Sequence, residues 1–268
     1  MSTLPSDAQL LAEARQGRRE AVETLLERHE KQVYRFALRM CGSSDDASDV
    51  LQETLIAAYK GLPEFRGDAS LSTWLFQVAR SFCVKARRRR SGQPATLDAL
   101  DSPEACRVAL PETESPHLQA QSRETGAVLQ AALATLSASH REVLLLKDVE
   151  GLSAEEVAQV LDEKVPAVKS RLHRARLELR RLLQGVLADD LPDATPCPEL
   201  AEELAGYAAG EIDRNTCERM EAHMADCAQC AKACESLKST VMICSRVEGD
   251  EVPAPIRAAI RQSLAALS

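Results

Sequence analysis

Apolar residues recur every three or four positions through most of the chain, which is the spacing of one helix face. The first run covers positions 7–40, and Gly17 divides it into two predicted helices. A third predicted helix follows the turn at 41–46, and a fourth ends in the basic run Arg87–Arg90. The pattern predicts an all-α fold that begins with a helical bundle.

Two predicted helices in the second half of the chain are joined by a short break. Ser153 and Glu156 have the spacing of a capping box, which marks the start of the first of these helices. That helix stops before Asp162, a residue type that tolerates a left-handed turn, and the helix over 165–183 is rich in arginine. This pattern predicts a helix–turn–helix whose second helix reads DNA. An ordinary helical hairpin with a solvated basic face is the alternative.

Proline-rich polar stretches divide the chain into segments. Prolines interrupt the helical pattern between 91 and 122 and again between 188 and 196. We expect a first helical domain at 1–92, a linker at 93–122, a helix–turn–helix domain at 123–186, a linker at 187–196, a cysteine-rich domain at 197–247 and an amphipathic C-terminal helix at 248–268.

Composition supports helices and an intracellular setting. Aromatic residues are only 3% of the chain, so the core must be built from leucine, valine and alanine, a mixture that favours helices over strands. No run approaches the roughly 20 apolar residues of a membrane span, and the first residues lack a signal-peptide pattern. We therefore expect a cytoplasmic protein without membrane contact. In a reducing compartment, nine cysteines indicate metal or redox chemistry rather than disulfides.

Charge is distributed unevenly along the chain. Positions 1–185 hold 26 basic and 26 acidic residues, whereas positions 186–268 hold 7 basic and 15 acidic residues and carry the whole net charge of −8. The neutral part contains two basic clusters: Arg80, Lys85 and Arg87–Arg90; and Lys164, Lys169, Arg171, Arg174, Arg176, Arg180 and Arg181. This distribution indicates a polyanion-binding protein with an acidic C-terminal segment, although solvated charged faces are the alternative.

A cysteine–histidine cluster lies in the acidic part. His223 is followed by Cys227 and Cys230 at spacings that turn all three side chains toward one side of a helix. Cys197, between two prolines, is a natural fourth ligand, and thiolate with imidazole is the donor set that Zn²⁺ prefers. Scattered buried thiols and one surface histidine are the alternative interpretation.

Several segments of the chain occur together in a recognisable order: Asp45–Thr54, Ser70–Arg80, and Gly151–Ala158 with Val168–Arg176. In these segments and their order the chain resembles the extracytoplasmic-function (ECF, group 4) sigma factors of bacterial RNA polymerase. The resemblance implies a transcription initiation factor with no catalytic residues. Its implied partners are promoter DNA and core RNA polymerase, through the β′ clamp and the β flap. The alternative from another class is a helix–turn–helix repressor that needs no polymerase.

The resemblance also implies three sets of binding residues. The set for core polymerase is Asp45, Asp46, Asp49, Gln52 and Glu53. The set for the −10 element is Phe65, Trp74, Arg80, Lys85, Arg87 and Arg88, where the aromatic rings would stack on unpaired bases or else belong to the core. The set for the −35 element is Lys169, Ser170, Arg171, His173, Arg174 and Arg176. Pro166-Ala167 stands where the family commonly has Gly-Thr, which removes one hydroxyl contact to phosphate.

The C-terminal segment resembles the zinc-binding anti-sigma domain, here fused to its own target as in the CorE-like, metal-responsive sigma factors. That resemblance implies Zn²⁺ at Cys197, His223, Cys227 and Cys230. Surplus cysteines offer additional ligands and leave Cd²⁺ or Cu⁺ open as the inducing metal: Cys217, Cys234, Cys244 and Cys106. Our hypothesis is regulation in cis, by metal binding and by contact between the C-terminal domain and the sigma domains. Thiol-redox regulation with a structural zinc is the alternative.

Overall fold

A computed structural model of the chain describes residues 5–91, 118–184, 194–245 and 251–266. Most of the predicted linkers, and Cys106 with them, lie outside these ranges. Every regular element in the described ranges is helical, so the all-α prediction is confirmed. None of these helices is long and apolar enough to cross a membrane.

The helices have the following bounds: α1 (Asp7–Arg15), α2 (Arg19–Cys41), α3 (Ser44–Gly61), α4 (Leu71–Ser91), α5 (Leu118–Thr135), α6 (Ala138–Leu144), α7 (Ala154–Leu161), α8 (Val165–Gln184), α9 (Ala201–Ala208), α10 (Arg214–Asp226), α11 (Ala228–Ser245) and α12 (Ala254–Ala265). The described chain forms two compact units. The first holds α1–α4, α12 and the last turn of α7, and the second holds the rest.

In the first unit, α1–α4 form a bundle around α2. The buried face of α2 repeats at helical spacing and contributes Leu25, Leu26 and Phe36, each no more than 1% exposed. Phe36 meets Phe76 of α4 edge-to-face, with ring centroids 5.4 Å apart. Gly17 has a φ of 81°, so the predicted division between the first two helices falls where a left-handed residue turns the chain.

The predicted helix–turn–helix is formed by α7 and α8. The capping box is present: the Ser153 hydroxyl accepts from the Glu156 N–H at 3.1 Å, and the Glu156 carboxylate accepts from the Ser153 N–H at 2.9 Å. Asp162 between the helices has a φ of 57°, which confirms the left-handed turn expected there. Directly after α6, residues Leu145–Val149 form a turn of π-helix, in which the side chain of Asp148 is buried.

The cysteine-bearing helices α9–α11 pack around a small core of their own. Leu204, Met220 and Leu237 are fully buried at its centre, together with Cys230. Leu177 of α8 packs against the same cluster. The predicted cysteine-rich domain therefore shares its core with α8, the second helix of the helix–turn–helix.

Candidate metal centre and nucleic-acid interface

The four predicted metal ligands lie together. Cys197 precedes the short turn at Pro198–Leu200, His223 lies in the last turn of α10, and Cys227 directly follows that helix. Cys230 lies in the first turn of α11 and is fully buried. The ligand atoms of the four residues are all within 4.8 Å of one another. The extended segment at Cys197 is thus brought beside two ligand-bearing helices.

The chemistry of this cluster fits a tetrahedral divalent ion. Zinc–sulfur bonds of about 2.3 Å imply ligand separations of about 3.8 Å, so the four atoms need only a small contraction. The Cys197 N–H donates to the Cys230 sulfur at 3.3 Å, and His223 Nε2 lies 3.2 Å from that sulfur. The backbone N–H of Cys230 lowers the pKa of Cys227, while hydrogen bonding to Cys230 raises the pKa of Cys197 to about 11. Metal binding requires that these thiols lose their protons.

The surplus cysteines that the structure describes lie outside the cluster. The Cys217 thiol donates to Glu221 at 3.5 Å, and burial is the main cause that raises its pKa. Cys234 and Cys244 are buried in the helical core. Within the described residues, one group of three or more His, Cys or carboxylate ligands comes together, and it contains none of these three cysteines.

The outward side of α8 carries part of the predicted −35 set. Lys169 and Arg174 are exposed, and Ser170 beside them is half-buried. Arg171 is also half-buried, and its guanidinium donates to Glu163 at 2.5 Å and lies 3.9 Å from Glu142. This side of α8 therefore carries two exposed cations.

The opposite side of α8 faces α9–α11 and their connections. Arg176 makes a bidentate ion pair with Asp148, at 2.9 and 2.6 Å, and contacts Glu211 at 3.2 and 3.3 Å. Burial opposes the charge of Arg176, but its carboxylate partners outweigh burial and raise its pKa. Because its side chain is only 3% exposed, Arg176 is an internal ion-pair residue in this arrangement rather than the DNA contact assigned to it from the sequence.

Two further residues of α8 lie on this inner side. Arg180 donates to the Ser236 hydroxyl at 2.8 Å and to the Ala194 carbonyl. His173, assigned to the −35 set, is half-buried, and burial lowers its pKa. Its Nδ1 is buried without a hydrogen-bond partner. The inner side of α8 is therefore covered by the C-terminal domain.

In the first unit, the acidic set of α3 and the basic set of α4 line one groove. Its lining includes Asp46, Asp49 and Glu53 from α3, with Lys85 and Arg89 from α4, around a volume of 260 Å³. Three residues assigned to polymerase thus share the groove with Lys85, the one residue of the −10 set in its lining, while Arg89 belongs to the same basic run but to neither set. The remaining members are placed as follows: Asp45 is exposed, whereas Gln52, Arg80, Arg87 and Arg88 are half-buried.

The two predicted stacking residues contact each other. The rings of Phe65 and Trp74 have centroids 5.1 Å apart, and both residues are half-buried. Trp74 also lies over Gly61, where an added Cβ would be 3.1 Å from the indole ring. The Arg15 guanidinium donates to the Phe65 carbonyl at 2.6 Å and fixes the loop. A half-buried aromatic pair therefore lies at the start of α4.

Three long-range contacts were not predicted from the sequence: Glu211 with Arg176, Ser236 with Arg180, and Ser263 of α12 with Gln52 at 3.0 Å. The partners are 35, 56 and 211 residues apart, so no local spacing connects them. An isolated acidic or hydroxyl residue in the sequence carries no indication of such a partner.

Comparison with known proteins identifies the family. The model for Sigma-70 region 2 matches residues 25–93, and that for Sigma-70 region 4 matches residues 127–179. The ECF RNA polymerase sigma factor SigM of Mycobacterium tuberculosis is 34% identical over 178 residues, which cover 66% of this chain and 85% of that protein. The RNA polymerase sigma-H factor of Pseudomonas aeruginosa is 31% identical over 193 residues, 70% of this chain and all of that protein.

A solved structure agrees with these matches. CnrH, in complex with the cytosolic domain of CnrY, is 27% identical, with a TM-score of 0.50 over 68% of this chain and 99% of its own. Both matching models end before the cysteine-bearing helices. With its region 2 bundle and its region 4 helix–turn–helix, the chain belongs to the ECF family of RNA polymerase sigma factors, which bind core polymerase and promoter DNA and are not enzymes.

Proposed function

We propose that this sigma factor is regulated in cis by its C-terminal domain, which holds Zn²⁺ at Cys197, His223, Cys227 and Cys230. The observation that carries the proposal is that the domain with these four clustered ligands also covers one side of the DNA-reading helix α8. The four clustered residues and α8 belong to one compact unit, which supports the proposal.

The ligand cluster is linked to α8 through the chain itself. Ala194, whose carbonyl accepts from Arg180, lies three residues before Cys197. Ser236, the other partner of Arg180, lies on α11 beyond Cys230. Zn²⁺, when bound, would join the Cys197 segment to α10 and α11. The residues that hold Arg180 are then fixed relative to each other, and the cover over α8 is stabilised.

The cover acts on DNA binding because it removes part of the reading surface. His173, Leu177 and Arg176 face the C-terminal domain, whereas Lys169 and Arg174 face outward. A helix in the major groove binds DNA through cations that contact phosphates and through side chains that contact base edges. Loss of the cover would expose the inner side of α8. An inducing metal would favour this exposed state only if it binds the protein more tightly in that state than in the covered state.

The test compares two serine substitutions in the full-length protein. Cys227→Ser removes a ligand, and Cys217→Ser, ten residues earlier, is the matched control outside the cluster. We expect wild type and Cys217→Ser to bind one equivalent of zinc and to share the same metal dependence of promoter-directed transcription with core polymerase. Cys227→Ser should lose both properties. Full zinc binding and unchanged metal dependence in Cys227→Ser would refute the proposal.

The alternatives predict different results. Membership of the sigma factor family replaces the repressor interpretation. Redox regulation predicts that a variant with serine at 217, 234 and 244 loses its response to peroxide, whereas metal regulation predicts that it keeps its response to metal. Titration of the same transcription assay with Cd²⁺, Cu⁺ and Zn²⁺ identifies the inducing ion, because each ion has its own affinity for the thiolates.

A further inference from the structure

The C-terminal helix α12 packs against the region 2 bundle within the first unit. Two apolar residues of this helix, Ile260 and Leu264, lie four positions apart and are only 3% and 6% exposed. They line one cavity of 240 Å³ together with Leu26 of α2 and Leu55 of α3. Burial of these side chains stabilises the docked helix by removing apolar surface from water. The helix therefore has a defined seat on α2 and α3.

Ion pairs fix the orientation of α12 on this seat. Arg257 donates to Glu30 of α2 at 2.6 Å, and Arg261, one turn later, donates to Glu27 at 2.9 Å. The Glu30 side chain is only 9% exposed, so its pair with Arg257 is the better shielded of the two. Just before the helix, Glu251 pairs with Lys31. Charge complementarity along α2 accompanies the apolar contact.

The seat overlaps the surface assigned to core polymerase. Ser263 of α12 accepts a hydrogen bond from Gln52 of α3 at 3.0 Å, and Gln52 belongs to the polymerase-binding set. Asp49, one turn before Gln52, lines the neighbouring groove between α3 and α4, so the polymerase-binding set continues from the edge of the seat around α3. A polymerase that contacts Gln52 meets the docked helix.

We propose that α12 is a cis-acting competitor of core RNA polymerase for the α2–α3 face of region 2. The docked helix covers Gln52 and the apolar seat beside it, and polymerase engages the whole face after α12 has left. The apparent affinity for core polymerase is then reduced by the fraction of molecules in which the seat is open. This inference rests on the sigma factor family and does not require the metal.

The test uses a charge swap in the full-length protein. Arg257→Glu and Glu30→Arg each place like charges where an ion pair holds α12, and the double variant restores opposite charges. Ala258→Glu, at an exposed position of the same helix, is the control for added negative charge. The dissociation constant for core polymerase is measured without promoter DNA, at a fixed zinc concentration and again with a chelator.

We expect each single charge reversal to tighten core binding about tenfold, the factor expected when a competent fraction near one tenth becomes fully open. The double variant should return to the wild-type affinity, and Ala258→Glu should not change it. Unchanged or weaker core binding in Arg257→Glu, with wild-type helicity by circular dichroism, overturns the proposal. Failure of the double variant to restore the affinity overturns it as well.

The outcome is separable from that of the proposed metal regulation. If charge reversal tightens core binding but zinc content and metal dependence are absent, the competitor role stands and the metal proposal fails. If metal dependence is present while charge reversal has no effect, the competitor role fails alone.

Discussion

Replacing Glu211 by glutamine is the most direct way to weaken the cover over α8 without altering α8 itself. The Glu211 carboxylate contacts Arg176 at 3.2 and 3.3 Å and Lys147 at 3.2 Å, and its side chain is 17% exposed. Burial raises the pKa of Glu211, but the two cations outweigh burial and keep the pKa below its ordinary value of 4.5. The carboxylate is therefore charged at neutral pH and attracts both partners.

The magnitude follows from these contacts. Hydrogen bonds to charged groups contribute about 1.5–3 kcal/mol each, and partial exposure lowers that value. Arg176 keeps its bidentate pair with Asp148 in the variant, so region 4 stays folded and only the attachment to the C-terminal domain weakens. We expect a loss of about 1.5–2 kcal/mol in this attachment, which corresponds to a change of about tenfold to thirtyfold in its equilibrium constant.

The assay is fluorescence anisotropy with a −35 duplex and the full-length protein. Glu211→Gln should bind the duplex about tenfold to thirtyfold more tightly, which is the change expected in the equilibrium constant of the attachment. Glu218→Gln is the control, because Glu218 is 66% exposed and pairs with the exposed Arg214. Equal duplex affinity of wild type and Glu211→Gln would refute our account of the cover.

The pH dependence gives a second readout of the same contact. A carboxyl whose folded pKa is lowered contributes stability that is complete above its ordinary pKa and is lost as the pH falls through the folded pKa. The difference in unfolding free energy between wild type and Glu211→Gln should therefore persist near neutral pH and shrink below pH 4.5. A difference that grows on acidification would show that another group controls the attachment.

Three further substitutions test the fold around the sites. Asp148→Asn removes one of the negative charges beside the buried Arg176, so the free energy of unfolding in urea titrations should fall by about 3–5 kcal/mol. A loss below about 1 kcal/mol would contradict the ion-pair assignment. Gly61→Ala adds a methyl group 3.1 Å from the indole of Trp74, so the fluorescence emission of this single tryptophan should shift. The higher helix propensity of alanine, about 1 kcal/mol, offsets the cost of the tighter packing, so the free energy of unfolding should change little. Unchanged emission would refute the contact. Asp7→Asn should reduce stability by less than about 1 kcal/mol at pH 7, since Asp7 is partly exposed. Burial raises the pKa of Asp7, but an arginine and a histidine of α2 lower it below 3.8 overall, so the stability difference should vanish as the pH falls through the folded pKa, and its persistence in acid would exclude this cause.

Local features of the fold followed from local sequence. The capping box at Ser153 and Glu156, the break at Gly17 and the left-handed turn at Asp162 depend on residues within four positions of each other. Such features are encoded by backbone sterics and short-range hydrogen bonds. The set Cys197, His223, Cys227 and Cys230 was also predicted correctly as a spatial cluster, because three of its members lie within eight residues.

Other features were decided by tertiary packing. Arg176 and Arg174 are two residues apart on one basic helix, and the sequence does not distinguish them. The structure buries Arg176 against Asp148 and Glu211, which lie 28 and 35 residues away, and leaves Arg174 exposed. Burial of a charge depends on where distant carboxylates are brought by the fold, and helical period alone does not specify that.

The sequence by itself determined the helical pattern, the capping box at Ser153 and Glu156, the sigma factor family and the grouping of Cys197, His223, Cys227 and Cys230. It also predicted an amphipathic C-terminal helix, since apolar spacing encodes one buried face. Only the tertiary structure decided that this face lies on Leu26 and Leu55, that Gln52 is paired with Ser263, and that α9–α11 cover one side of α8. An amphipathic helix needs another surface to cover its apolar face, but its sequence does not specify which surface, because hydrophobic burial is non-directional. Shape and ion pairs between distant segments select the partner.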